Sequence, residues 1–327
     1  MRARAPVANS HAKQGQIIMA TFGSPHRISS APAIVSRTAL RNFSVERCTP
    51  AIGAEITHIS VADVPDNPGL AAEIRALWLK HRVLFFREQH ITPMEHQQFA
   101  AAFGKLEKHP TAPMHPDAPF LLPLYRNLDP NKPNMIEKSS RENVWHSDVT
   151  FKAVGPRGAI LRCEQCPEIG GDTIWANMVL AYEMLPARIK ERIDKLYARH
   201  SFEHFFAAQL KRERRLELAV EQPATDHPVV MTHPETGEKL LFVNQAFTTH
   251  FTNYYNFEDV RFGQDFAIEA NTLMNYLFSQ SAIPEYQVRL KWRPGTIAMW
   301  DNMFTQHYAI ADYGPEPRKM LRATLAG

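Results

Sequence analysis

The segment Trp145-His146-Ser147-Asp148-Val149-Thr150-Phe151 sets an imidazole and a carboxylate two residues apart. A second imidazole, His307, follows far downstream in Trp300-Asp301-Asn302-Met303-Phe304-Thr305-Gln306-His307-Tyr308. In an extended chain, side chains two apart share a face, so one strand can present His146 and Asp148 to a single point. His307 must then arrive from a neighbouring strand, which demands a fold that brings the middle of the chain against its end. Two imidazoles and one carboxylate can occupy one face of an octahedral iron(II) ion and leave three positions open. The pair alone is a weak signal, since His115-Pro116-Asp117 and His233-Pro234-Glu235 have the same form. Both of these carry a central proline, which suits a turn rather than a central strand. On the residues alone, an iron triad and ordinary structural histidines are equally open readings.

The rest of the chain, 327 residues in all, is long enough to bury a large core. Residues 1–45 stand apart: Arg2, Arg4, Lys13, Arg27, Arg37 and Arg41 occur with no acidic residue before Glu46, among many Ala, Ser and Pro. That composition makes no core and predicts a disordered extension. An organellar transit segment, or a start upstream of the true one near Met19, would read the same way. One folded domain is expected over residues 46–327. Apolar spacing predicts a helix over 70–80, helices are also expected over 181–196 and over the polar, charged stretch 207–222, and Thr92-Pro93-Met94-Glu95 opens another that runs to about Phe103. Short strands are predicted at 83–86, 158–163, 173–176, 228–231, 240–243, 287–292, 296–300 and 320–325, with Gly170-Gly171 as a turn. Many short strands with helices around them predict a mainly β sandwich or barrel with flanking helices.

A net charge of +3 with no basic stripe gives no footprint for nucleic acid. No apolar run is long enough to span a membrane as a helix. Three cysteines, Cys48, Cys163 and Cys166, are too few for a disulfide framework and favour a reducing, cytoplasmic compartment, with import into an organelle through the basic segment as the alternative. Cys163-Glu164-Gln165-Cys166 has no second pair to complete a zinc site and reads as two free thiols near a strand end. Beyond His307 come Arg318 and Arg322. Residues 318, 320 and 322 share one face of a strand, and two guanidinium forks pointing the same way suit two carboxylate or sulfonate groups.

These motifs together resemble the taurine dioxygenase family of iron(II)- and 2-oxoglutarate-dependent oxygenases, whose members act on sulfonates and aryloxyalkanoates. The resemblance covers roughly Phe43 to Gly327. It is carried by Phe103-Gly104-Lys105-Leu106 with His109-Pro110, the block from Trp145 to Phe151, and Gly170-Gly171-Asp172-Thr173. Phe242-Val243-Asn244 with Phe247-Thr248-Thr249, and the run from Trp300 through Arg322-Ala323-Thr324, complete it. The resemblance implies a double-stranded β-helix, or jelly roll, and assigns His146, Asp148 and His307 to the iron(II). It puts Arg318 and Thr173 on the distal carboxylate of 2-oxoglutarate, and Arg322, His109 and the Val149 N–H on the acidic head of the substrate. Phe206 and Phe247 become aromatic walls of the substrate pocket. The implied reaction consumes O2 and 2-oxoglutarate, gives succinate and CO2, and hydroxylates a C–H bond of a small anionic substrate. A sulfonate such as taurine is the first expectation, and a hydroxylated product of that kind fragments to an aldehyde and sulfite. Members of the family form dimers or tetramers, so a homo-oligomer is expected.

The chain departs from the taurine-specific pattern at two places. Glu142 stands where those members carry an Asn near the substrate amine, and Ala112 stands where they carry a Tyr. A smaller Ala112 makes room for a bulkier substrate, and Glu142 favours a cationic or donor group. Asn253 to Ala270 is an added segment after Thr249. An alkyl sulfate, an aryloxyalkanoate or a biosynthetic amino acid therefore stay open as substrates. Outside the family, a zinc hydrolase using the same three ligands, or a jelly roll that merely binds an anion, stay open too.

Overall fold

The structure, a computed structural model, describes residues 43–109, 112–128, 143–203, 211–254 and 268–327. The basic segment is outside the described residues up to residue 42. The larger of two facing sheets runs β1 (Ser44–Arg47), β2 (Ala54–Thr57), β3 (Val83–Phe86), β14 (Ile297–Asp301), β6 (Gly158–Gln165), β16 (Arg318–Leu325) and β4 (Leu106–Glu107). A further strand, β5 (Leu121–Arg126), also pairs with β16. Opposite lies the three-stranded sheet β13 (Gln287–Leu290), β7 (Thr173–Asn177) and β15 (Thr305–Ala309). A second three-stranded sheet, β12 (Thr248–Phe251), β8 (Tyr197–His200) and β9 (Thr225–Pro228), and the hairpin β10 (Val230–Thr232) with β11 (Lys239–Leu241), complete the jelly roll.

The period of two explains how both faces of the large sheet are covered. In β3, Leu84 and Phe86 join the cluster under the helices, while Val83 and Phe85 face the other sheet. In β14, Ile297 and Met299 point to the helices, and Ala298 and Trp300 point inward with Trp175, Val288 and Leu290 of the opposing sheet. A strand buried on both faces reads as an unbroken apolar run, which is why Val83-Leu84-Phe85-Phe86 was legible as a central strand. The covering helices are α1 (Pro68–His81) and α2 (Pro93–Ala101). Asn67 caps the first, accepting from the Leu70 N–H at 3.0 Å. A reciprocal Thr92–Glu95 capping box starts the second. Gly158 lies where Trp78 of α1 meets the sheet. A Cβ there would come within 2.5 Å of the Trp78 ring and 2.6 Å of the Trp300 carbonyl.

The predicted helix over 181–196 is instead two, α3 (Met178–Glu183) and α4 (Ala187–Ile193). Pro186 has no N–H to continue the first and sits at the start of the second. The predicted helix over 207–222 is described as α5 (Arg212–Glu221), and α6 (Ile268–Ser279) was not foreseen. The strands β1, β2, β5, β8, β12 and β15 were not foreseen either, although Ala54-Glu55-Ile56-Thr57 of β2 alternates apolar and polar residues.

A histidine packed into this frame sets a pH dependence. His96 in α2 is fully buried beside the Ile160 carbonyl, at 3.2 Å, and burial lowers it to about 3. The unfolded chain keeps an ordinary value near 6.5, so it binds the proton more readily below that pH. Stability is therefore full above pH 6.5 and is lost as pH falls from there toward 3. The loss at pH 5 is about 2 kcal/mol from His96 alone. Urea unfolding at pH 7 and pH 5 should differ by about that much less in His96→Gln than in the unaltered chain; an identical difference in both would contradict the assignment.

Candidate active site

His307 stands in β15, whose register against β7 pairs it with Trp175. The segment bearing His146 joins β15 through one two-way bridge. His146 N–H donates to the His307 carbonyl (3.1 Å), and His307 N–H donates to the His146 carbonyl (2.7 Å). Their rings lie with centroids 4.1 Å apart. The strand expected through Asp148 does not form. After His146 the chain turns, and Val149 takes φ +55°. The cause is Asn302: its Oδ1 accepts the Asp148 N–H (2.7 Å) and its Nδ2 donates to the Asp148 carbonyl (2.9 Å), occupying the groups a strand neighbour would need. The outcome for the side chains is the expected one. Donor atoms of His146, Asp148 and His307, all buried, lie within 4.8 Å of one another.

The protonation states suit a divalent metal, which needs neutral imidazoles and an ionised carboxylate. His146 Nδ1 is 2.7 Å from the Val144 carbonyl, so its proton belongs there and Nε2 keeps its lone pair. Burial, with His146 alongside, pushes His307 well below the usual histidine range, and its Nδ1 is buried without a hydrogen-bond partner. For Asp148, burial alone would raise the carboxyl. Burial is the largest single influence, but Arg322, first among the opposing ones, together with His307 and His146 overcomes it and holds the carboxyl at about 2. Arg322 Nη1 donates to both carboxylate oxygens at 3.2 Å. Two nitrogens and one oxygen from neutral imidazoles and a carboxylate are the donor set of non-haem iron(II).

A solvent-open cavity adjoins these residues, lined by His146, His307, Thr173, Trp175, Arg318 and Arg322 with apolar neighbours. The two arginines of β16 thus face one space, as their spacing predicted. The Nε of each is buried with no hydrogen-bond partner. The Arg318 guanidinium stands 5.8 Å from the Tyr313 ring centre. Thr173 Oγ1 accepts from the Trp292 indole N–H at 3.0 Å. Behind it, Gly170 and Gly171 turn at φ +85° and +72°, with the Gly171 N–H on Asp312 Oδ1 at 2.8 Å. These values fit glycine and strain most other residues.

His109 lies close enough to Arg322 and Asp148 to feel both charges. Burial first, and Arg322 second, lower its pKa. Its Nδ1 accepts the Ala112 N–H at 3.0 Å, so the neutral ring carries its proton on Nε2. Val149 and Phe247 belong to a separate apolar cluster with Phe151, Ala246, Val144 and Phe202. Glu142 and Phe206, both expected at the substrate pocket, lie outside the described residues, as does most of the added segment after Thr249. The two look-alike motifs go elsewhere. His115 makes a local bridge to Ala118, and His233 pairs with buried Asp301 at 3.3 Å. Cys163 is buried in β6 and Cys166 is half-buried just beyond it, both as free thiols. Sequence reasoning missed Asn302, Phe151 and Phe202. Only their adjacency to the motifs could have flagged them, because nothing in an Asn or Phe by itself marks a partner distant in the chain.

Facing sheets around a buried two-histidine, one-carboxylate set with an open cavity define a non-haem metal oxygenase of the jelly-roll class. The family model described as taurine catabolism dioxygenase TauD, TfdA family matches residues 44–324. The chain belongs to this family. It is 37% identical to an alkylsulfatase of Acinetobacter baylyi, over 88% of this chain and 86% of that protein. It is also 37% identical to an α-ketoglutarate-dependent sulfate ester dioxygenase of Pseudomonas putida, over 84% and 87%. A taurine dioxygenase crystal structure from Burkholderia xenovorans superposes with a TM-score of 0.70 at 31% identity, covering 88% of this chain and 92% of that one.

The electrostatics of the site can be checked on the protein alone. Arg322→Gln removes the charge that offsets burial, so the Asp148 carboxyl should rise from about 2 to above the ordinary carboxylate range. The carboxyl carbon shift of Asp148, followed by NMR through an acid titration, reads this directly; an unmoved titration would show that Arg322 is not what holds the carboxylate ionised.

Proposed function

We propose that this 2-oxoglutarate-dependent dioxygenase hydroxylates the carbon next to the oxygen of an alkyl sulfate ester, using His146, Asp148 and His307 as its iron(II) ligands. The observation that carries the reading is a cavity lined by His146, His307 and two arginines, each arginine with a buried, unpartnered Nε, while the Asp148 carboxylate lies with the two imidazoles. Iron(II) with 2-oxoglutarate and O2 supplies the C–H hydroxylation, releasing succinate and CO2. Everything else falls to the chain.

Arg318, with the Thr173 hydroxyl, holds the distal carboxylate of 2-oxoglutarate, since a guanidinium fork matches a carboxylate in charge and geometry. Arg322 serves two partners. It keeps Asp148 ionised and gives its remaining donors to the sulfate head of the substrate. His109 donates to the same head from Nε2, and the Val149 N–H adds a third contact. Phe247, Phe151 and Phe202 exclude water from the alkyl chain. Placing a bound C–H next to the reactive centre accounts for much of the rate such a site adds over free reactants. The hydroxylated product, R–CH(OH)–OSO3⁻, breaks its C–O bond to the sulfate. It gives an aldehyde and hydrogen sulfate, the hydroxyl proton leaving with the sulfate.

A sulfate ester is preferred over taurine for two reasons. The relatives that act on sulfate esters match this chain at 37% over most of their length, and the small Ala112 stands where the taurine-specific members carry a Tyr. The protein works as one catalytic domain from about residue 46, in the cytoplasm and as a homo-oligomer. No helix among the described residues is long and apolar enough to cross a membrane.

Succinate, sulfate and sulfite should be measured together with hexyl sulfate, decyl sulfate, a phenoxyacetate and taurine as substrates, each with 2-oxoglutarate and iron(II). Expected is sulfate release in step with succinate from an alkyl sulfate, with kcat/KM at least about tenfold above taurine, a gap of ~1.4 kcal/mol. His146→Ala should abolish it. Sulfite from taurine as the faster reaction would overturn the substrate assignment while keeping the oxygenase.

A further inference from the structure

Val149 is the one β-branched residue with positive φ among the described residues, at +55°. The left-handed region is open to glycine and strained for a branched side chain. Such strain persists only where the surroundings over-determine the backbone. Here the turn is gripped on both sides. On the Asp148 side, Asn302 takes the N–H and the carbonyl as described above. On the other side, the Thr150 hydroxyl is 2.9 Å from His200 Nδ1 and accepts from Asn244 Nδ2 at 3.1 Å. The Lys152 N–H closes onto the Val149 carbonyl at 3.2 Å.

The grip on Thr150 is part of a buried ring. His200 Nε2 lies 3.2 Å from Thr248 Oγ1, which accepts the Asn244 N–H at 2.9 Å. Asn244 Oδ1 accepts the Phe247 N–H at 2.9 Å, and the Phe247 carbonyl accepts the Ser201 N–H at 2.8 Å. His200, Thr150, Asn244 and Thr248 are each at most 2% exposed. The ring stacks on Phe242 at 5.6 Å between centres. Each imidazole nitrogen faces one threonine hydroxyl, and rotatable hydroxyls complement either neutral tautomer. Buried polar networks that are fully paired fix one conformation, because the alternative leaves groups unpaired in a low-dielectric interior.

We propose that His200, Thr150, Asn244 and Thr248 form a positioning network that holds Val149 in its strained conformation, and so sets both the Asp148 carboxylate in the metal site and the Phe247 wall of the substrate pocket. None of the four touches the reacting groups. The inference rests on the reading of Asp148 as an iron ligand. Hydrogen bonds behind a metal ligand typically change affinity by about 10–100-fold when removed.

The test is a double-mutant cycle on the full chain, read as the dissociation constant of cobalt(II) alone, titrated by its visible absorption. His200→Phe keeps the ring's packing on Phe242 and removes both hydrogen bonds. It should weaken cobalt(II) about tenfold. Val149→Gly makes the left-handed turn unstrained, so adding His200→Phe to it should change affinity by less than about twofold relative to Val149→Gly alone. A general loss of core stability would not be rescued in this way. Thr150→Val, which removes the bridging hydroxyl, provides the same cycle if His200→Phe does not fold. An equal penalty in both backgrounds, or none in either while the unaltered chain binds cobalt(II), overturns the network. No cobalt(II) binding by the unaltered chain overturns the metal reading beneath it, and the network's role with it.

Discussion

The two backbone hydrogen bonds between His146 and His307 are what the site depends on. They are a single bridge rather than a ladder, yet they join a segment from the middle of the chain to a strand near its end. Without that bridge the imidazoles belong to unrelated parts of the fold. With it, the rings lie 4.1 Å apart and the next turn carries Asp148 to the same point. The jelly roll makes this possible because β15 pairs with β7 in the smaller sheet, facing the strand that carries Arg318 and Arg322.

Charge then decides what the site accepts. A buried carboxylate would ordinarily take up a proton, and a neutral acid is a poor metal ligand. Arg322 prevents this by sitting against both oxygens of Asp148. The same guanidinium links the metal end of the site to the anion end, with His109 alongside. Arg318, one turn of strand pairing away, has a buried Nε with nothing to bond to. Such donors are costly unless a bound anion satisfies them. Under the proposed function the site takes two anions and one cation, which is the stoichiometry of a 2-oxoglutarate-dependent oxygenase acting on an acidic substrate.

Much of this was legible in the sequence because it is carried by short-range patterns. Val83–Phe86, the Thr92–Glu95 capping box and the glycine pair before Thr173 each declare their local structure. The spacing of Arg318 and Arg322 declares that they share a face. The strand through Asp148 was misread because the determinant is Asn302, more than a hundred residues away, and spacing carries no trace of a side chain that replaces a strand neighbour. The helix expected over 181–196 is divided because Pro186 falls inside it and cannot continue the first helix. The ring around His200 was invisible for a similar reason: four polar residues from separate segments become a network only after the sheets have closed over them.

The central claim is that His146, Asp148 and His307 hold iron(II) with room for 2-oxoglutarate to chelate beside them. Anaerobic addition of iron(II) and then 2-oxoglutarate, followed by visible absorption, tests it most directly. A chelating 2-keto acid on iron(II) gives a metal-to-ligand charge-transfer band. The account predicts that band in the unaltered chain and its loss in Asp148→Ala. Binding of both iron(II) and 2-oxoglutarate with no such band would contradict it, because the two would then occupy separate sites.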